Sequence, residues 1–381
     1  MLTAHPPGEG TGSARRGAAT LEALRALFHR VDVVSLAFAD EARFADPAVR
    51  LIARPARPGA AKRLAMLARG GAYYWPEHGA GLHDRIGALA AGGELLRAYD
   101  LVWCHSMLMA RAAQAVGAHA RVLDIDNVPS ADARTAAAGG PARRAYVGVL
   151  SAAFAREERS RAALHDLVTV TSGDERERLG RVRPPVTVLP NTVTEVPPAH
   201  VAASGPQALF VGSLGYRPNI DAVRWLAESI VPRLRARVPA TAVRVVGRDP
   251  GEDLRGWCVQ AGVELVADAP SLQPHYHAAR VMLAPLRSGG GTRIKVLEAL
   301  AYGVPVVATP QAVEGLGLTH GVDVQIGAGA DEIVAGAAAL LEDPAAAARI
   351  GEAGRAAWAL RHGPAETRRV ITAIVCDLIP L

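Results

Sequence analysis

One stretch of the sequence gathers residues suited to holding an anion. Residues 284–309 read Ala-Pro-Leu-Arg-Ser-Gly-Gly-Gly-Thr-Arg-Ile-Lys-Val-Leu-Glu-Ala-Leu-Ala-Tyr-Gly-Val-Pro-Val-Val-Ala-Thr. The pattern predicts a strand, a glycine loop, a helix from Thr292 to Tyr302, a capping Gly303 and a strand from Pro305 to Ala308. Gly289, Gly290 and Gly291 let the backbone approach a ligand closely. The helix that follows aims its free N–H groups and positive dipole end at that loop, an arrangement that binds anions. Arg293 and Lys295 fall in the first turn, where the dipole mildly disfavours cations, and an anionic partner would account for them. Glu298 lies three residues beyond Lys295 on the same helical face, so an exposed Lys295–Glu298 pair is the competing reading.

The rest of the chain must position this loop. Its 381 residues exceed one ordinary core and fit two α/β domains. Strand signals at Val31–Phe38, Leu101–Cys104, Arg121–Ile125 and Leu167–Thr171 alternate with helical patterns at Ala18–Phe28, Met107–Val116 and Ala142–Leu164. After Val186–Asn191 a polar, Pro-containing stretch reaches about Gly205 and reads as a linker. The pattern then restarts with strand Ala208–Val211, helix Ile220–Ala236 and strand Ala242–Val246, followed by strands Val263–Ala267 and Val281–Pro285. Short apolar strands separated by longer helices predict parallel sheets covered on both faces. Three helices close the chain, the last over Ala365–Leu378 after the Gly363-Pro364 break, and it is expected to cross back to the first domain. The expected division is 1–190, 191–362 and 363–381. Only Leu2-Thr3-Ala4 lie between Met1 and the turn-rich run that starts at His5, so the opening strand is expected to be deficient, either because the true start lies upstream or because the sheet edge is frayed.

Composition narrows the functional classes. The net charge is +5, mostly from scattered arginine, and aromatics make up 4% of residues. No arginine-rich arm or zinc-finger spacing points to nucleic acid. The basic balance fits a solvated surface, and equally phosphates on a nucleotide, a lipid-linked acceptor or a peripheral contact with an anionic membrane face. Cys104, Cys258 and Cys376 are odd in number and far apart, which suits reduced thiols in a cytoplasmic protein better than a disulfide framework or a zinc site. No signal-peptide pattern opens the sequence, and no apolar run is long enough to cross a bilayer.

The glycine-loop segment, ending in Lys-Val-Leu-Glu-Ala-Leu-Ala-Tyr-Gly-Val-Pro-Val-Val-Ala-Thr, resembles the donor-binding motif of retaining group-1, or family-four, glycosyltransferases. So does Phe210-Val-Gly-Ser-Leu-Gly-Tyr-Arg-Pro-Asn-Ile-Asp-Ala-Val-Arg-Trp225, and Val188-Leu-Pro-Asn191 looks like the family's linker. The resemblance is strong over about 185–360 and looser before it, where Asp124-Ile-Asp-Asn-Val and Val168-Thr-Val-Thr-Ser172 fit. It implies an α/β GT-B fold: two Rossmann-like domains facing each other across a cleft, with a nucleotide sugar and a glycan or lipid-linked acceptor as partners. It further implies sugar transfer with retention in polysaccharide or glycolipid biosynthesis, without a metal or other cofactor. Glu298 falls on the second glutamate of the family's Glu-x7-Glu pattern, which holds the donor ribose; Gly290 stands where the first would be. The family's usual Arg and Lys after the first strand of the second domain are replaced by a loop with Gly212, Ser213, Tyr216 and Arg217. Arg293 and Lys295 are therefore the diphosphate candidates. Gly212, Ser213, Arg217, Gly289, Gly290, Gly291, Thr292 and Glu298 are candidate donor contacts.

In the first domain, Gly8-Glu-Gly-Thr-Gly-Ser13 matches the family's first glycine loop and makes Gly12 a further donor contact. His105 ends a strand and is either a structural or a catalytic histidine. Asp124 and Asp126 share one strand face by period two, an arrangement also found in metal sites, while Asp126 and Asn127 are expected to line the acceptor side. Two other readings share the fold: a sugar-nucleotide epimerase, and a non-catalytic glycosyltransferase-like partner.

Overall fold

The computed structural model describes residues 1–4, 7, 12–36, 49–52, 76–135, 140–193, 205–289 and 293–379. Gly290, Gly291 and Thr292, the linker residues 194–204 and Gly8–Thr11 lie outside them. The chain divides into two compact units. One holds the chain up to Thr194 together with Thr367–Leu381, and the other holds Glu195–Gly289 and Arg293–Glu366.

The first unit is built on a parallel sheet. Its strands are β1 (Leu2–Thr3), β2 (Val33–Leu36), β3 (Val49–Ile52), β4 (Ala98–His105), β5 (Gly117–Asp124), β6 (Leu167–Val170) and β7 (Val186–Val188), in the order β3-β2-β1-β4-β5-β6-β7. The opening strand is two residues long, and it does not sit at a frayed edge. Leu2 and Thr3 pair with Val34 and Ser35 on one side and with Cys104 and His105 on the other. Burial of both residues and ladder pairing on both sides hold so short a strand in the middle of the sheet. The first helix starts at Gly12, earlier than the apolar pattern suggested.

Two predicted helices take other forms. Residues 107–116 form two 3₁₀ turns, Met107–Met109 and Ala112–Ala115, a short segment that buries most of its residues and leaves Arg111 and Gln114 exposed. The helix predicted over 220–236 starts at Arg217 and widens into a π turn at Leu226–Ile230. Pro232 has no N–H to bond Glu228, which favours widening at that place.

The C-terminal helix Pro364–Leu378 buries Val370, Ile371, Ile374 and Val375. That stripe packs with Ala23, Leu24, Trp103, Val122, Leu167 and Leu189, all in the first unit. The second unit carries its own parallel sheet: β8 (Gln207–Val211), β9 (Ala242–Gly247), β10 (Glu264–Ala267), β11 (Val281–Ala284), β12 (Val306–Ala308) and β13 (Gln325–Ile326), in the order β10-β9-β8-β11-β12-β13. In each sheet the chain first runs outward one way, then returns beside its first strand and runs the other way. The reversal falls between β1 and β4 in the first unit, and between β8 and β11 in the second. In open α/β sheets, ligands bind at the carboxyl ends of strands at such a reversal.

A buried polar network ties together the strand ends of the first unit. Asp124, at the end of β5, accepts from Arg16 Nη2 at 2.6 Å, His105 Nδ1 at 2.8 Å and Thr169 Oγ1 at 2.6 Å. Arg16 also donates to the Leu189 carbonyl at 2.7 Å and to Asn191 Oδ1 at 2.9 Å, which joins the first helix to the segment after β7. Burial alone would raise the Asp124 pKa; Arg16 and His105 outweigh it and hold the carboxyl far below its usual range. Such a carboxylate contributes stability above its unfolded pKa, and that contribution is lost as pH falls toward its folded value. Replacing Asp124 with Asn strands the buried Arg16 guanidinium and should cost about 3–5 kcal/mol. Urea unfolding at pH 7 measures the cost, and a variant as stable as the parent would show the network to be dispensable.

Candidate functional site

The reversal in the second unit brings two loop-to-helix junctions together. After β8 the chain passes Gly212 and Ser213 into the helix Arg217–Trp225; after β11 it passes Gly289 into the helix Ile294–Tyr302. The second helix starts two residues later than predicted, with Arg293 at its N-cap position. Gly303 ends it with φ +76°, the left-handed cap that the sequence indicated.

Lys295 lies between the junctions. Its Nζ donates to Asn219 Oδ1 at 2.5 Å and sits 4.5 Å from the centre of the Phe210 ring. Among the described residues it has no carboxylate partner, so the Lys295–Glu298 pair does not form. Glu298 instead accepts from the Tyr276 hydroxyl at 3.0 Å, and both residues are buried. Burial, with a smaller contribution from the Arg293 charge, lowers the Lys295 pKa from 10.5 to about 7. Gly212 makes room for this packing: a Cβ there would lie 2.8 Å from Asn219 Nδ2 and 2.9 Å from Lys295 Nζ. Gly247 lets β9 approach in turn, since a Cβ on it would fall 1.8 Å from the Gly212 carbonyl oxygen.

Arg293 is buried and holds the glycine loop. Its Nη1 donates to the Gly289 carbonyl at 3.0 Å, and its Nη2 lies 3.5 Å from Glu314 Oε2. Gln311 donates to the same Gly289 carbonyl at 3.2 Å. Gly289 has φ +110°, a conformation suited to glycine, and a Cβ there would meet Pro218 at 3.1 Å. The sequence candidates Gly212, Ser213, Gly289, Arg293, Lys295 and Glu298 thus fall around the β8 and β11 ends. Arg217 is exposed on the first turn of its helix. Gly290, Gly291 and Thr292 fall outside the described residues. Sequence reasoning gave no role to Asn219 or Tyr276. Asn219 had a signal in Pro218-Asn219 at a helix start, whereas Tyr276 is distant in sequence and had none.

The first-unit candidates are placed differently. His105 is fully buried, with Nε2 3.0 Å from the Ser13 carbonyl and Nδ1 on Asp124, so both nitrogens belong to the network. Burial alone would lower its pKa, but the hydrogen bond and charge of Asp124 raise it. Gly12 opens the first helix. Asp124 and Asp126 do not share a strand face, because β5 ends at Asp124. Asn127 donates to Asp132 at 2.7 Å. The thiols of Cys104 and Cys258 are buried, and that of Cys376 is exposed. Among the described residues no helix is long and apolar enough to cross a membrane.

The partly desolvated ammonium has a cost that can be measured. Between about pH 7 and pH 10.5 the unfolded chain holds a proton at Lys295 that the folded chain does not, so stability rises with pH across that window. Below about pH 7 the fold carries the full cost of the buried charge. Lys295→Met should therefore stabilise the protein by about 1–3 kcal/mol at pH 6, with the gain shrinking toward pH 10. Thermal unfolding at the two pH values tests this, and a destabilised variant at pH 6 would contradict it.

Comparison with known proteins fits this geometry. Residues 205–343 match the family described as glycosyl transferases group 1. Over 156 residues the chain is 38% identical to the GDP-mannose-dependent alpha-(1-6)-phosphatidylinositol monomannoside mannosyltransferase of Mycolicibacterium smegmatis; the match covers 36% of this chain and 40% of that relative. Two solved structures resemble nearly the whole chain. Sucrose-phosphate synthase from Thermosynechococcus elongatus has a TM-score of 0.73 at 17% identity, over 99% of this chain and 98% of that one. Anabaena HepE in complex with UDP and glucose has a TM-score of 0.67 at 13% identity, with the same coverage. The group 1 glycosyltransferase match thus falls within the second unit, and the chain as a whole takes the GT-B fold.

Proposed function

We propose that the chain transfers a sugar from a nucleotide-sugar donor to the hydroxyl of a glycan or lipid-linked acceptor, with retention of anomeric configuration. The supporting observation is the pairing of a half-buried ammonium, Lys295, with a buried guanidinium, Arg293, at a helix N-terminus beside the reversal of a parallel sheet. Two cations so placed, with no carboxylate on the ammonium among the described residues, suit a ligand that brings its own negative charge, and a nucleoside diphosphate does so. The named ligands of the relatives, GDP-mannose for one and UDP with glucose for the other, are of that class.

The proposed chemistry asks little covalent work of the protein. The glycosidic bond to the diphosphate breaks while the acceptor oxygen bonds to the same face of the sugar, and a leaving phosphate oxygen takes the acceptor proton. The protein stabilises the departing diphosphate through Arg293, Lys295 and the first amides of the Ile294 helix. Glu298, held by Tyr276, would accept from the donor ribose hydroxyls. In this reading the charge that a metal ion could supply comes from side chains, and none is required.

The roles separate kinetically. Arg293→Ala and Lys295→Ala should slow turnover by about 10²–10³, because charge builds on the diphosphate as the bond breaks. Glu298→Gln should chiefly weaken nucleotide binding, because ribose contacts change little on the way to the transition state. EDTA should leave the rate unchanged. Steady-state kinetics of the three variants, with and without EDTA, tests the assignment; parental rates in both cationic variants would overturn it.

A further inference from the structure

We propose that Asn219 is the residue that positions Lys295 for its anionic ligand, in a socket shaped by Gly212 and the ring of Phe210. The inference rests on the proposed nucleotide site and gives a role to a residue outside its charged groups. The Asn219 amide is fixed at both ends. Its Nδ2 donates to the Ser213 carbonyl at 2.8 Å, which orients the group and leaves Oδ1 to accept from Lys295. Asn219 is 6% exposed, so water does not compete freely for that oxygen. An ammonium has three N–H donors. Asn219 takes one and the Phe210 ring face attracts a second, which leaves a third for a phosphate oxygen.

Aspartate would bond the ammonium more strongly than asparagine, and its absence has a physical reason. A carboxylate at this place would neutralise Lys295 and repel a diphosphate, whereas an amide oxygen orients the ammonium and keeps the site positive. The charged groups on the surrounding elements fit the same design. Arg293, on the same helix, is positive and is shared with Gly289 and Glu314. Glu298 is engaged by Tyr276 one turn away. On the Asn219 helix, Arg217 is exposed and Asp221 is paired with Arg287 at 2.6 Å.

The sequence makes the test direct, because Lys62 and Lys295 are its only lysines. Lysine-selective ¹³C,¹⁵N labelling of the full chain then gives two side-chain signals, and Lys62→Arg assigns them. The Lys295 signal should titrate near pH 7 in the parent. Asn219→Asp should move its midpoint up by about one unit or more, and Asn219→Leu, which lacks the acceptor, should move it down. UDP or GDP should raise the parental midpoint by binding the charged form. The same variants should bind the preferred nucleoside diphosphate about tenfold or more weakly at pH 7, Asp by repulsion and Leu by loss of the orienting bond. If the midpoint is the same in the parent and in both folded variants, as judged by circular dichroism, Asn219 does not position Lys295. If it moves with Asn219 but responds to none of UDP, GDP, ADP and dTDP, the proposed donor site itself fails, and the positioning role for a ligand fails with it.

Discussion

Lys295 holds its half-buried ammonium against an amide oxygen and an aromatic ring, with no carboxylate partner among the described residues, and the β8 and β11 junctions close around it. The two glycines that let the strand ends close up, Gly212 and Gly247, stand where any side chain would collide with its surroundings. Arg293 adds a second positive charge and anchors the glycine loop by its carbonyl. A fold selected for stability alone would place an apolar residue or a paired charge here, so the local cost points to a ligand. The sheet topology gives the reason for the location: β8 and β11 are neighbours whose chains leave in opposite directions, which opens a crevice at their carboxyl ends.

The first unit uses buried charge in the opposite way. Asp124, Arg16 and His105 are neutralised against one another, with Thr169 and Asn191 completing the hydrogen bonds. Their work is to hold the ends of β4, β5 and β6, the first helix and the segment after β7 in one arrangement. In the second unit, Lys295 has no opposite charge against it among the described residues. A satisfied network of this kind fixes structure, while an unneutralised cation marks a place where a ligand completes the charge balance.

Much of this was legible in the sequence because local signals and function coincide there. Gly-Gly-Gly-Thr-Arg-Ile-Lys before an apolar helix carries both its turn and its charge in a dozen residues, and the capping Gly303 marks the helix end. Long-range contacts were not legible. Nothing local to Arg16, one arginine among many on an alanine-rich helix, shows that its partners are 108 and 175 residues away. His105, whose type suggested chemistry, is likewise decided by partners outside its own segment, Asp124 and Ser13, which make it a buried member of the network. Local reading also misjudged shape where burial or proline decided it, as in the 3₁₀ turns after Ser106 and the π turn before Pro232. The two-residue β1 was expected to be short, but its place at the centre of the sheet depends on neighbours that no local pattern reveals.

On the proposed function, the cation at the β8–β11 reversal is kept for a nucleoside diphosphate. Thermal unfolding of the full chain with UDP, GDP, ADP or dTDP, each against its monophosphate, tests it most directly. A ligand at a hundredfold its dissociation constant adds about 2.7 kcal/mol of apparent stability. At least one diphosphate should raise the unfolding temperature by the corresponding amount, its monophosphate should do so far less, and the difference should collapse in Lys295→Met. Failure of all four diphosphates to stabilise the protein, or equal stabilisation of the Lys295→Met variant, would contradict it.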